Sequence, residues 1–413
     1  MGNDLFFCKM CTHPSSRPRI AFDENGLCNG CQRTLEKKNE IDWKEKEEEL
    51  KALISKAMDG MPDRQYDCLV PVSGGKDSTF QAWYASKVLG LRTLCYNHFP
   101  ILPTEEGALN VLNIAEKLPV DMISFRPNRE AYSKVMLANF ELHGDPYPPA
   151  SHLTWAHAAR IAVEKKIPII LYGENGDREY AGSSSPEYNT INNAGVVARI
   201  RSNKINYLPP EKWTEYGLTP SECLPWCDPS DEIVNKMGIE RIFLSDYLPW
   251  SNNYHLHVAL NIVGGFRMNE GRSPGTYTFG YSTDNDLYDF YIWMLWPKFG
   301  FCRATKYTSK DIQEGKLTRE MAMSLVRDYD GEFPWAAADR FMEIVGIGED
   351  RLWQTIAKFI GDDENVAKDY AISGNKKIAA WQKIGDMKWR LKNTIHGEEK
   401  ILELPIPRVL TNI

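Results

Sequence analysis

The sequence predicts an α/β fold: a parallel sheet, preceded by a small cysteine-rich module and followed by a helical region. Three observations predict it. Between about residues 66 and 175, short apolar runs alternate with helical patterns. The first run, Cys68-Leu69-Val70-Pro71-Val72, leads into the glycine turn Ser73-Gly74-Gly75-Lys76-Asp77-Ser78 and then into a helical pattern. Ahead of both stand two C-x-x-C pairs, Cys8/Cys11 and Cys28/Cys31.

The cysteine pairs come first in the chain. Sixteen residues separate them, and each pair can present two thiolates to one tetrahedral ion. Gly26 and Gly30 suit the tight turns of the second pair. Four thiolates close the shell of a zinc ion and leave no place for water, so the expected role is structural. Dithiol redox chemistry and an iron–sulfur cluster use the same ligands and stay open as alternatives.

Next, residues 42–58 read as an amphipathic helix, with Trp43, Leu50, Leu53, Ile54, Ala57 and Met58 on one stripe. The charged run 44–49 is its solvated face, and Gly60-Met61-Pro62 ends it. Strands are expected at 68–72, 92–96, 120–125 and 167–172, and helices at 78–89, 105–118, 129–140 and 151–166. Such alternation implies βαβ units and a parallel sheet covered on both faces. Residues 178–300 are rich in Pro, Gly, Asn and aromatics, with helical patterns at 230–237 and 286–296. Helices are expected again at 309–314, 318–329, 336–345 and 349–359, followed by a basic, Trp-containing segment at 370–395. The resulting division is a metal module (1–40), a linking helix (41–61), the α/β domain (62–305, with an insertion at about 178–300) and a helical region (306–413).

Composition bounds the function. The chain has 413 residues, 43% of them hydrophobic, enough for two or three cored domains. A net charge of −7 argues against a broad nucleic-acid footprint, although it leaves room for a local basic groove. No apolar stretch approaches the ~20 residues of a membrane span. Residues 1–5 lack the basic and apolar regions of a secretory leader. Phe6 stands where a myristoylation signal wants Ser or Thr. Nine cysteines, an odd number, fit a reducing cytoplasm better than a disulfide framework.

The glycine turn carries the strongest chemical signal. Its glycines let backbone N–H groups close around an anion, and the following helix adds its N-terminal partial charge. Lys76 supplies a cation, and Asp77 can hold magnesium beside phosphates. The Walker pattern is absent. Ligands of open α/β sheets sit beyond the carboxyl ends of the strands. That places two further groups along one edge with the turn and its own Pro71, Val72 and Ser73: Asn97-His98, and Gly173 with Glu174 and Asp177. Glu174 and Asp177 are suited to magnesium and pyrophosphate. Arg303 and Lys306, in Phe299-Gly300-Phe301-Cys302-Arg303-Ala304-Thr305-Lys306, pair two cations able to neutralise a departing pyrophosphate. Cys223, Cys227 and Cys302 are candidates for a second metal site, but buried unpaired thiols are the simpler reading.

These pieces resemble the PP-loop ATP pyrophosphatases (HUP-like, adenine nucleotide α-hydrolase fold) through S-G-G-x-D-S. Within that superfamily they resemble the N-acetyl sugar amidotransferases of the WbpG/PseA type. The resemblance rests on the knuckle from Glu24 to Cys31, Tyr66 to Val72 leading into the loop, Tyr172 to Glu179, Lys298 to Phe301, Arg303-Ala304-Thr305 and the helix start Thr318-Arg319-Glu320. Cys302 departs from it, standing where glycine is expected. The resemblance implies ATP, Mg2+ and Zn2+ as cofactors. It implies a cytoplasmic ligase of surface-glycan biosynthesis (lipopolysaccharide, O-antigen, flagellin glycosylation, nonulosonic acid) that turns an acetamido group into an acetamidino group. The N-acetylated sugar would be free or nucleotide-linked. Lys76, Ser73, Ser78 and the loop amides of Gly74 and Gly75 would hold the phosphates, Asp77 and Asp177 the magnesium, and Glu174 a magnesium ion or the ammonia. The chain has no recognisable glutaminase nucleophile. A partner glutaminase with its ammonia-channel subunit (HisH/HisF-like) is therefore expected. The alternative is a zinc-containing PP-loop enzyme that thiolates tRNA. Its need for catalytic cysteines or an iron–sulfur cluster, and for a basic surface, weighs against it.

Overall fold

The structure is a computed structural model and describes residues 6–181, 210–279 and 284–360. The segment 370–395 and the insertion residues 182–209 and 280–283 lie outside the described residues.

A five-stranded, wholly parallel sheet forms the centre: β1 (Cys68–Pro71), β2 (Thr93–His98), β3 (Val120–Phe125), β4 (Ile169–Tyr172) and β5 (Glu240–Phe243). The spatial order is β3-β2-β1-β4-β5. Chain order therefore reverses between β1 and β4, and the loops after these two strands open a crevice there. Alternate residues feed different cores. Cys68, Val70, Cys95, Ile169 and Leu171 pack with Leu50 and Ile54 of the Trp43–Asp59 helix and with Phe80. Leu69, Leu94, Tyr96, Ile170 and Tyr172 pack on the other face with Ala158, Ala159 and Ala162. Both faces are covered, which is why the strands read as continuous apolar runs rather than alternating ones.

Four strands and the helices around them follow the sequence expectation closely. Two of the expected helices contain a widened turn, at Tyr84–Val88 and Leu153–His157. β5 was not expected. A third core is helical and aromatic. It joins the Arg129–His143 helix to Leu287–Trp293, Leu295–Phe299, Trp335–Val345 and Glu349–Ile360, around Phe140, Trp213, Trp226, Phe290, Trp293, Trp296 and Phe341. Residues assigned from sequence to the sheet domain thus share a core with those assigned to the helical region.

The expected boundary at 305/306 falls inside the helix Arg303–Gln313. Asp330 caps that helix: its carboxylate accepts from the Cys302 amide at 2.8 Å and from the Thr305 amide and hydroxyl at 3.2 and 2.6 Å. No helix among the described residues is long and apolar enough to cross a membrane.

Candidate active site and metal centre

The metal centre forms where the spacing put it. Cys8, Cys11, Cys28 and Cys31 are fully buried, and their sulfurs all lie within 4.8 Å of one another. Sulfur separations are 3.8 Å for Cys8–Cys31 and 3.6 Å for Cys11–Cys28. Four thiolates at ~2.3 Å from a tetrahedral zinc stand about 3.8 Å apart, so the cage has the size of one zinc ion. A zinc ion held by these cysteines would lock the knuckles rather than do chemistry.

The knuckles do not stand apart from the rest of the molecule. Thr12 bonds the Thr305 carbonyl at 3.0 Å and the hydroxyls of Thr308 and Ser309 at 2.9 and 2.8 Å. Arg319 donates to the carbonyls of Cys8 and Cys11, at 3.3 Å each. Lys37, on the helix that follows the second knuckle, pairs with buried Glu179, which also receives Lys310 at 2.8 Å. The module is therefore clamped onto the Arg303–Gln313 helix and the segment after β4.

The glycine turn after β1 bends into the helix Lys76–Trp83. Gly74 takes φ +87°, and a Cβ there would lie 2.3 Å from the Gly107 carbonyl oxygen. Gly173, after β4, is less constrained: a Cβ would lie 2.5 Å from Gln81 Nε2, the movable end of a side chain. Buried Lys76 reaches Asp77 Oδ2 at 2.6 Å. The other carboxylate oxygen of Asp77 meets His255 Nδ1 at 2.7 Å. An ionised carboxylate only accepts, so Nδ1 carries the proton. His255 is fully buried and stacks on Phe80 with ring centres 4.1 Å apart, and its Nε2 has no partner among the described residues.

Burial disfavours charge on Asp77, but Lys76 and His255 outweigh it and hold the carboxyl far below its usual range. Burial likewise opposes charge on Lys76, and Asp77 overcomes it, lifting the ammonium. The pair is thus ionised. Glu174 behaves oppositely, since burial and the Asp77 charge both push it up. Asp284 is raised mainly by burial. Lys306 is lowered by burial, while its ammonium donates to the Tyr288 hydroxyl at 3.2 Å and lies 4.5 Å over the Tyr180 ring.

Asp77, Glu174, Asp284 and Lys306 share one cavity of about 550 Å³ at the β1/β4 crevice. Pro71, Val72, Ser73, Asp77, Ser78, His98, Gly173, Glu174 and Lys306 line it, as do Asp284, Tyr288 and Arg19. Gly74, Gly75 and Lys76 form the turn behind that wall. Asn97 is buried and bridges strands instead, its amide donating to the Val72 carbonyl at 2.8 Å. Asp177 lies on the short helix Gly176–Glu179, and its side chain falls outside the described residues.

Arg303 does not line the cavity. It is buried, pairs with Asp289 at 2.5 Å and sits between the rings of Tyr288 and Tyr307. Its position suits it to orient Tyr288. Cys302 has φ −142°, an ordinary value that makes no demand for glycine. Its buried thiol donates to the Ile292 carbonyl at 3.4 Å. Cys223 and Cys227 form no second metal group: among the described residues the N-terminal quartet alone gathers enough ligands around one point. Asp77 with one neighbouring carboxylate matches the way magnesium is held beside phosphates, by one or two carboxylates rather than a protein cage.

Sequence reasoning missed four contributors. His255 is remote from the turn and sits on an unremarkable helix. Ser245, whose hydroxyl accepts from the Asn175 amide at 2.9 Å, follows the unexpected β5. Arg19 comes from the cysteine module and has φ +63°. Asp284 was passed over in a segment with few signals.

Residues 275–392 match the family model described as LPS biosynthesis protein WbpG-like, C-terminal domain. The C-terminal part of the chain is thus similar to the C-terminal domain of WbpG-like proteins. Within the described residues, the WbpG-like region supplies Asp284, Tyr288, Tyr291 and Lys306 to the cavity and the helix on which the cysteine knuckles rest. No curated protein matches the chain.

Proposed function

We propose that the chain is an ATP-dependent amidotransferase that converts an acetamido group of a surface-glycan sugar to an acetamidino group. The observation that carries this is the ionised Lys76–Asp77 pair at the glycine turn, whose Asp77 lines one cavity with Glu174 and Lys306. The WbpG-like region, which supplies Asp284, Tyr288, Tyr291 and Lys306 to the same cavity, supports the glycan setting.

An amide is a weak electrophile without a leaving group. Its oxygen attacks the α-phosphorus of ATP, the α–β phosphoanhydride bond breaks and pyrophosphate leaves with the bond's electrons. Lys76, the turn amides and Lys306 would stabilise the charge that develops on the phosphates. Asp77, with Asp177 as the proposed second ligand, would hold a magnesium ion, which would supply positive charge beside the phosphates. Ammonia then adds to the imidate carbon and AMP departs, leaving the amidine after proton loss. Glu174 lines the same cavity, its carboxyl pushed up by burial and by the Asp77 charge, and would receive a proton from the incoming ammonia. The ammonia comes from a partner glutaminase through its channel subunit, and the reaction belongs in the cytoplasm, where ATP is available.

The test is chromatography of nucleotides after incubation with acetamido sugar, ATP, magnesium and ammonium. AMP and pyrophosphate are the expected products. Lys76→Ala and Asp77→Asn should each lower turnover about 100- to 1000-fold, the usual cost of one preorganised charge contact, with zinc content intact. ADP and phosphate would overturn the reading.

A further inference from the structure

The cavity has an aromatic end that the phosphate loop does not occupy. Tyr147 stacks on Tyr291 with ring centres 4.9 Å apart, and Tyr288 packs edge-on against them at 5.7 and 5.6 Å. Asp145 and Arg19 line the same cavity. Tyr288 accepts the Lys306 ammonium, so this wall adjoins the cation assigned above to the phosphates. The Tyr172 hydroxyl, also in the lining, is buried without a partner among the described residues. Aromatic faces pack against the C–H face of a sugar ring, while phenols and a carboxylate at their edge serve its hydroxyls.

Arg19 stands at the exposed rim in a left-handed backbone conformation, a strain that persists only where the surroundings impose it. They do so here. The flanking module is tied down through Thr12, and Arg17 donates to the Ala181 carbonyl at 3.0 Å. A guanidinium at the rim of a sugar-sized aromatic recess serves an anion carried by the ligand. Adenine would stack on the same rings but brings no anion to that end.

We propose that the Tyr147–Tyr288–Tyr291 end of the cavity binds the acetamido sugar, and that Arg19 of the cysteine module engages an anionic group on it, a phosphate or a carboxylate. This rests on the amidotransferase reading and assigns its acceptor site. The ring lies on the tyrosines, the acetamido group points past Tyr288 toward Lys306 and the phosphate loop, and the anion lies at the rim. The metal module thereby becomes part of substrate recognition as well as a structural staple.

The experiment uses the full chain with three probes: N-acetylglucosamine, its UDP-linked form and its uronic acid. Sugar binding is read by saturation-transfer NMR without ATP, and KM and kcat are read by AMP release. Arg19→Gln should raise Kd and KM about 10- to 100-fold for a charged probe, the loss of one charge-assisted contact. The neutral sugar and the KM for ATP should not change, and Arg19→Lys should recover part of the loss. Whichever charged probe responds identifies phosphate or carboxylate. Tyr291→Ala should weaken all three probes and Tyr291→Phe less so; zinc content checks that each variant is folded. Unchanged sugar binding with a raised KM for ATP would give the tyrosines to adenine and overturn the proposal, as would a wild type that binds none of the probes. Sugar binding sensitive to Arg19 and Tyr291, without AMP formation by the wild type, would sustain this site and overturn the reaction instead.

Discussion

Glu179 is the carboxylate on which three parts of the molecule meet, and its replacement by glutamine has a calculable cost. Its side chain is 2% exposed and pairs with Lys37 of the cysteine module and with Lys310 of the Arg303–Gln313 helix. Burial alone would raise its pKa. The two ammonium groups outweigh burial and hold it at about 2, against an ordinary 4.5. At about 1.36 kcal/mol per pH unit, that difference corresponds to about 3 kcal/mol.

Glu179→Gln keeps the shape and removes the charge, leaving two buried ammonium groups facing each other. Breaking a buried pair from one side costs about 3–5 kcal/mol, in agreement with the first figure. Urea unfolding at pH 7 should therefore show the variant less stable by about 3 kcal/mol. Because the folded-state pKa is depressed, the contribution is fully present above the unfolded value and is lost as pH falls toward 2. The gap between wild type and variant should hold steady from pH 7 to pH 5 and shrink below pH 4.5. A gap under about 1 kcal/mol at pH 7, the scale of an exposed ion pair, would refute the reasoning. So would a gap that persists unchanged down to pH 3.

Two further outcomes are expected. Cys28→Ser should lose zinc by elemental analysis and, because the knuckles rest on the helix carrying Lys306, should lose turnover as well as stability; retained stoichiometric zinc would show the ligand set to be wrong. His255→Leu should lower kcat/KM about 10- to 100-fold by removing a hydrogen bond to a charged group, and His255→Asn, which keeps a donor near Nδ1, should recover part of it; wild-type activity in the leucine variant would remove His255 from the positioning of Asp77.

What was legible in the sequence was local. The glycine turn, the cysteine pairs and four strands announce themselves within a few residues, because a strand buried on both faces must be continuously apolar. β5 was hidden because half of it is charged: Glu240 and Arg241 occupy two of its four positions, and Arg241 is buried against Asp228 at 3.1 Å. The Arg303–Gln313 helix was expected to start at 309 for a similar reason. Arg303, Thr305, Thr308, Ser309 and Lys310 are polar yet buried, each bonded to a partner elsewhere in the chain. A hydrophobic period cannot reveal a buried face built from hydrogen bonds. The same limit hid His255, Arg19 and the Lys37–Glu179–Lys310 triad, whose roles exist only once distant segments meet. The shared aromatic core was hidden because composition marks each helix as apolar without saying which other helix it joins.

The central claim is that an acetamido oxygen is replaced by nitrogen at ATP's expense, and the mass of the sugar product tests it most directly. Purified chain, acetamido sugar, ATP, magnesium and ammonium should yield a sugar lighter by the difference between O and NH, and 15N-ammonium should place its label in that product. Unaltered sugar after AMP has accumulated, or a product without the label, would contradict the account.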